Sequence, residues 1–132
     1  MVVLRPTILV IDDDVDVREA VSMLLERHFC RRAHVVSACD GAQALALALS
    51  APPHLIVCDY AMPTMNGIAF VRRARSEPAL RGVPIVMLSG EVALAELTRG
   101  LDVQALVGKA DVQQLPEVAR QLLGWKCGKA SD

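Results

Sequence analysis

Leu55-Ile56-Val57-Cys58-Asp59-Tyr60-Ala61-Met62-Pro63-Thr64-Met65-Asn66-Gly67 opens on four apolar residues, stops them on a carboxylate and runs on into Pro, Asn and Gly. A short continuous apolar run bounded by turn residues reads as a strand covered on both faces. The pattern recurs on either side. Ile8-Leu9-Val10-Ile11 ends on Asp12-Asp13, Pro84-Ile85-Val86-Met87-Leu88 on Ser89, and Ala105-Leu106-Val107-Gly108 on Lys109. In an open parallel sheet, ligands bind outside the carboxyl ends of the strands. As neighbours in one sheet, these runs would bring a carboxylate pair, a carboxylate, a hydroxyl and an ammonium to one pocket.

Helix-type segments alternate with the strands, which is the βα order of a parallel sheet. Val17, Ala20, Val21, Leu24 and Leu25 repeat at helical spacing, with Asp14 or Asp16 as cap. Ala33–Ala38 reads as a short second strand. Asp40-Gly41 offers an N-cap to Ala42–Leu49, whose Ala/Leu alternation is strand-like in period but helix-forming in composition. Pro52-Pro53 stops that helix, which is expected to be mostly buried. Gly67–Ser76 is expected to be a helix with Arg72, Arg73 and Arg75 on a solvated face, followed by a loop over Glu77–Gly82. Glu91–Thr98 is expected to form a short helix, and Pro116 suits the first turn of a last one carrying Leu115, Val118, Ala119, Leu122 and Leu123. Trp125 is expected to close the core. Residues 1–125 read as one domain and 126–132 as a flexible tail.

A chain of 132 residues is long enough to bury a core without disulfide staples. A formal net charge of -1 supplies no global field for nucleic acid or an anionic membrane. No apolar stretch reaches the ~20 residues that cross a bilayer, and the opening residues lack the layout of a secretion signal. Cys30, Cys39, Cys58 and Cys127 show no CxxC spacing and read as reduced thiols, mostly small core hydrophobes, in a cytoplasmic protein.

A carboxylate attacks phosphorus poorly because the reaction brings two anions together, and a divalent cation relieves the repulsion. Mg²⁺ takes an octahedral set of hard oxygens. Asp12, Asp13 and Asp59 would supply carboxylates to it, and the backbone carbonyl of Ala61 a further oxygen. Lys109 would hold one phosphoryl oxygen as a point charge, and the Ser89 hydroxyl would donate to another. Asp59 would be the covalent acceptor. Taken singly, each of these residues is an ordinary turn former, cap or surface group. Their joint arrangement at successive strand ends carries the reading.

Asp12-Asp13, the stretch Asp59–Gly67, Ser89 and Lys109 together resemble the receiver domain of two-component response regulators, over about residues 5–125. The resemblance implies Asp59 as phosphorylation site, Asp12 and Asp13 as metal carboxylates, Ser89 as conformational reporter and Lys109 as phosphoryl contact. It also implies a doubly wound, flavodoxin-like parallel sheet of five strands in order 2-1-3-4-5 with five helices. The donor would be a phosphohistidine on a histidine kinase or histidine phosphotransfer protein. The domain would catalyse only its own phosphorylation and dephosphorylation, and an output domain or downstream protein would read the result.

Three features depart from the family pattern. Leu106 stands where an aromatic residue is usual, Ala110 follows the lysine in place of proline, and Ser89–Lys109 is about two residues short. Leu106 is therefore expected to sit inward, or under the helix Glu91–Thr98, in both phosphorylation states, and the Lys109–Ala110 bond to be trans. Two other readings stay open. One is a degenerate receiver working as a phosphorylation-independent interaction module. The other is a haloacid-dehalogenase-type phosphatase, which wants an acid/base Asp two residues past the nucleophile. Ala61 holds that place after Asp59, and Asp14 after Asp12.

Overall fold

Strand β1 (Thr7–Ile11), β2 (His34–Ala38), β3 (Leu55–Asp59), β4 (Ile85–Ser89) and β5 (Ala105–Gly108) form one sheet in the order β2-β1-β3-β4-β5. Every adjacent pair is parallel. The computed structural model describes residues 5–62, 65–90 and 99–125. Alternate residues of each strand serve opposite faces, as the two-residue period of a strand demands. Leu9, Ile11, Ile56, Cys58, Ile85 and Met87 pack on one side; Ile8, Val10, Leu55, Val57, Val86 and Leu88 pack on the other. Helices α1 (Val15–His28), α2 (Gly41–Ser50), α3 (Gly67–Arg75) and α4 (Leu115–Leu123) cover these faces. Helices α2 and α3 lie on the first and α1 and α4 on the second.

Local chemistry sets the helix starts. Asp14 caps α1 by accepting from the Asp16 and Val17 amides, Asp40 caps α2 through the Gln43 amide, and Asn66 caps α3 through the Ala69 amide. Pro116 lies in the first turn of α4, and Gly124, at φ 75°, ends it in the left-handed conformation that glycine adopts without strain. Trp125 packs edge-on against Phe29 with ring centroids 5.0 Å apart, closing the α1/α4 core as expected. No helix among the described residues is long and apolar enough to cross a membrane.

The strand order is the expected one, and several details differ. Four α-helices, not five, stand among the described residues, and the helix expected over Glu91–Thr98 lies outside them. So does the 126–132 tail. Helix α2 is only half buried: Leu47 and Leu49 are exposed, because its apolar residues run all the way round while one side meets the sheet. Cys30 and Cys39 are exposed and only Cys58 is a core thiol among the described cysteines, since the first two fall in the connections around β2. Burial and the neighbouring carboxylates Asp59 and Asp12 push the Cys58 thiol far up, which keeps it protonated and inert.

Two residues take places opposite to those expected. Arg75 is no solvated side chain. Its guanidinium donates to the carbonyls of Leu80 (2.8 Å), Arg81 (2.9 Å) and Asp102 (3.1 Å) and to Gln104 Oε1 (3.0 Å), tying the α3–β4 loop to the approach to β5. Leu106 does not sit inward but is 39% exposed, and its other expected place, under the helix Glu91–Thr98, lies outside the described residues. Val107 and Ala105 take the α1/α4 face, so the pleat turns Leu106 to the other side of an edge strand, which has a neighbour on one flank only.

Gly67 lets α3 start hard against β3. A Cβ there would come within 2.6 Å of the Asp59 carbonyl oxygen and 2.9 Å of Tyr60 Cα. Gly82 has open space around it. Gly67→Ala is therefore expected to cost about 1–3 kcal/mol in urea unfolding, as overpacking does. Gly82→Ala should stay within about 0.5 kcal/mol of the parent. Equal effects of the two would show that the β3–α3 contact is not tight.

Candidate functional site

The strand register assembles the site. In parallel neighbours with Ile11 beside Cys58, Asp59 beside Leu88 and Ser89 beside Gly108, the next residues beyond the strand ends share one rim. Asp12 is anchored twice through its backbone, donating to the Ala38 carbonyl and accepting at its own carbonyl from Arg18 Nη1 at 2.8 Å. Its Oδ1 accepts from the Asp14 amide, which closes the turn into α1 and leaves Oδ2 directed at the pocket. Asp59 is fixed by the flanking pairs Tyr60 N–H to Leu88 O and Gly67 N–H to Tyr60 O, both 2.8 Å.

Asp12, Asp59 and Ser89 are the buried polar residues among those described, while Asp13 is exposed at the mouth. Carboxylate oxygens of Asp12, Asp13 and Asp59 lie within 4.8 Å of one another. Lys109 Nζ stands 3.1 Å from Asp59 Oδ1 and 3.6 Å from Asp12 Oδ2. Neither of those two buried oxygens accepts an aligned hydrogen bond, so the ammonium meets them as a charge. Burial raises the Asp59 carboxyl above the ordinary carboxylate range; Lys109 opposes the shift and Asp12 adds to it. Burial alone would lower the Lys109 ammonium, but its contact with Asp59 and the charges of Asp59 and Asp12 outweigh that and raise it.

Asp12, Asp13, Asp59 and Lys109 are thus brought together as read from the sequence, with Ser89 buried at the next strand end. Ala61 lies exposed in the loop after Asp59, and Pro63 and Thr64 of that loop fall outside the described residues. Lys109 opens a 3₁₀-helical segment, Lys109–Gln114, and no peptide bond among the described residues is cis, in line with the trans bond expected at Lys109–Ala110. Asp14 is committed to capping α1, which removes it as an acid/base partner for Asp12. Arg18 went unnoticed in the sequence; only its place one helical turn past the Asp14 cap would have pointed to it.

The set contains three hard carboxylates, two buried oxygens without an aligned donor, and no imidazole or thiolate ligand. This is donor chemistry for a divalent cation such as Mg²⁺ rather than a softer metal.

Residues 8–108 match the family model described as response regulator receiver domain. This chain is a response regulator receiver domain. It is 29% identical over 117 residues to Protein PilG of Pseudomonas aeruginosa, covering 89% of this chain and 82% of that one. It is 32% identical over 99 residues to the two-component response regulator ORR3 of Oryza sativa subsp. indica, covering 74% and 73%. Other relatives are longer: the receiver domain spans 8% of the sensor histidine kinase TmoS of Ectopseudomonas mendocina and 49% of the transcriptional regulator RpaA of Synechocystis. The solved chemotaxis protein CheY4 of Vibrio cholerae superposes with a TM-score of 0.80 at 26% identity, over 89% of this chain and 98% of that one.

Because the fold raises the Asp59 carboxyl, the folded domain holds a proton there more readily than the unfolded chain does. The stability this contributes is present at low pH and is lost as pH rises through the folded value. At neutral pH without metal, the ionised side chain is therefore a net burden. Asp59→Asn should raise the melting temperature in EDTA. Asp13→Ala should act in the same direction by relieving like-charge repulsion. A clear fall in both melting temperatures would contradict this electrostatic reading.

Proposed function

We propose that Asp59 accepts a phosphoryl group from a phosphohistidine donor, with Asp12, Asp13, Asp59 and the Ala61 carbonyl holding Mg²⁺. The observation that carries this reading is the Lys109 ammonium, 3.1 Å from Asp59 and 3.6 Å from Asp12, at the mouth of a buried carboxylate pair. Asp59 is the nucleophile: its carboxylate oxygen bonds to phosphorus as the P–N bond of the donor breaks, and the departing imidazole takes up a proton. Lys109 holds an oxygen of the transferred group, exchanging one anionic partner for another without moving far. The Ser89 hydroxyl donates to a second oxygen and so carries the event to the end of β4. Asp12, fixed by Arg18 and the Ala38 contact, keeps its carboxylate from turning away. Bound Mg²⁺ supplies charge neutralisation between the attacking carboxylate and the phosphoryl oxygens.

The acylphosphate is lost when water attacks phosphorus, restoring the Asp59 carboxylate and releasing phosphate. The chain turns over no separate metabolite. The donor is a histidine kinase or histidine phosphotransfer protein, and the reader is a downstream protein or an attached output domain. Relatives that carry this unit inside a sensor kinase and inside a DNA-binding regulator support both arrangements. A donor of that kind and free Mg²⁺ set the reaction in the cytoplasm.

Acetyl phosphate with Mg²⁺ should add one phosphoryl group by intact mass, and EDTA or Asp59→Asn should abolish it. Lys109→Ala should lower the yield at least tenfold while leaving the fold intact. Labelling that persists in Asp59→Asn, or that proceeds equally without metal, would sink the assignment.

A further inference from the structure

Among the described residues β2 has no strand on its outer flank, and that edge lies apart from the proposed phosphorylation site. In a parallel ladder, alternate residues bond to one neighbour. The His34 amide donates to the Pro6 carbonyl and the Ala38 carbonyl accepts from Asp12, so His34, Val36 and Ala38 face β1. Val35 and Ser37 turn their N–H and C=O groups outward. Edge strands are commonly guarded by lysine, proline or inward charges, and His34-Val35-Val36-Ser37-Ala38 has no Lys, Arg, Asp, Glu or Pro. The whole flank from Ala33 to Pro53 carries one carboxylate, Asp40, and no Lys or Arg, while Leu47 and Leu49 are exposed on the two sides of α2.

We propose that this flank is the contact between two copies of the chain, joined by antiparallel pairing of β2 with β2 about a two-fold axis at Val36. The outward groups are symmetric about that residue. With the axis there, Val35 of each copy exchanges N–H···O bonds with Ser37 of the other, and Val36 meets its own counterpart as a non-hydrogen-bonded pair. One continuous sheet results, with the two α2 helices on the same face.

Charge favours a second copy over an unrelated extended peptide. Arg32 precedes Val36 by as many residues as Asp40 follows it, so the two-fold axis brings opposite charges to the same end of the pairing, twice by symmetry, beyond the bends at Ala33 and Cys39. Arg31 and Arg32 are exposed and have no ion pair among the described residues. Asp40 caps α2 through Oδ1, and its Oδ2 has only a weak thiol contact from Cys39 at 3.7 Å. Both partners are therefore available, and the rest of the flank is neutral, so nothing in it repels a copy of itself.

Sedimentation equilibrium of the full chain should show a reversible dimer that weakens with salt. Arg32→Glu should weaken it roughly tenfold and remove most of the salt dependence. Ser37→Pro deletes an outward N–H that β1 does not use and should leave a monomer. With Cys30, Cys39 and Cys127 changed to Ser, Val36→Cys should form a disulfide dimer at least tenfold faster than Ser37→Cys. Non-hydrogen-bonded cross-strand pairs lie about 4.5 Å apart at Cα, within disulfide reach, whereas a residue off the axis is not. A chain that stays monomeric at millimolar concentration would overturn the proposal. So would a dimer indifferent to Arg32→Glu, or equal crosslinking at the two positions. Because Arg32 is exposed, its variant keeps the question decidable even if Ser37→Pro fails to fold.

Discussion

One ammonium group stands against a cluster of carboxylates at the carboxyl edge of the sheet. Lys109 lies 3.1 Å from Asp59 and 3.6 Å from Asp12, within ion-pair distance of both. Two buried carboxylates and a third at the mouth repel one another, and burial weakens the screening that water would give. A single ammonium offsets part of that repulsion. The remainder is visible in the raised Asp59 carboxyl and in two buried oxygens without aligned donors. The site is electrostatically incomplete, which is the condition for binding a cation weakly and receiving a phosphoryl group without large rearrangement.

That imbalance is tolerable only on a rigid support. The strands that end at the site are among the most buried parts of the chain, with all five residues of both β3 and β4 buried. Backbone bonds then aim the side chains: Arg18 and Ala38 fix Asp12, and the Gly67–Tyr60 contact sets the turn that follows Asp59. A similar clamp stands at the far end, where Arg75 ties the α3–β4 loop to the segment entering β5. The stability of the two apolar layers holds the destabilised acidic rim in place.

The buried strands were legible because parallel strands covered on both faces read as unbroken apolar runs, and because each run stopped on a chemically distinct side chain. Asp14 and Asp16 at the start of α1, and Asp40-Gly41 at the start of α2, are residue types that cap helices, so both starts were legible to within two residues. Three other features were not legible. Arg75 resembles any arginine on a helix face until the loop it binds is folded beside it. Whether Leu47, Leu49 and Leu106 meet a neighbour depends on what lies across from them, and periodicity does not encode that. Arg18 acts through a carbonyl, a group every residue has, so no motif marks its partner.

The exposure of Leu106 alters how a signal would leave the site. A side chain already outside has no inward position to abandon, so under the proposed function the buried Ser89 hydroxyl would be the first group beyond the acidic site to feel a phosphoryl group. The most direct test is an amide NMR titration of the full chain with Mg²⁺ and beryllofluoride, a mimic of the phosphoryl group. Large shifts are expected at Asp59, Ser89–Gly90 and Lys109, with none of them in Asp59→Asn. Unchanged spectra at saturating beryllofluoride, or the same shifts in Asp59→Asn, would contradict the proposed function.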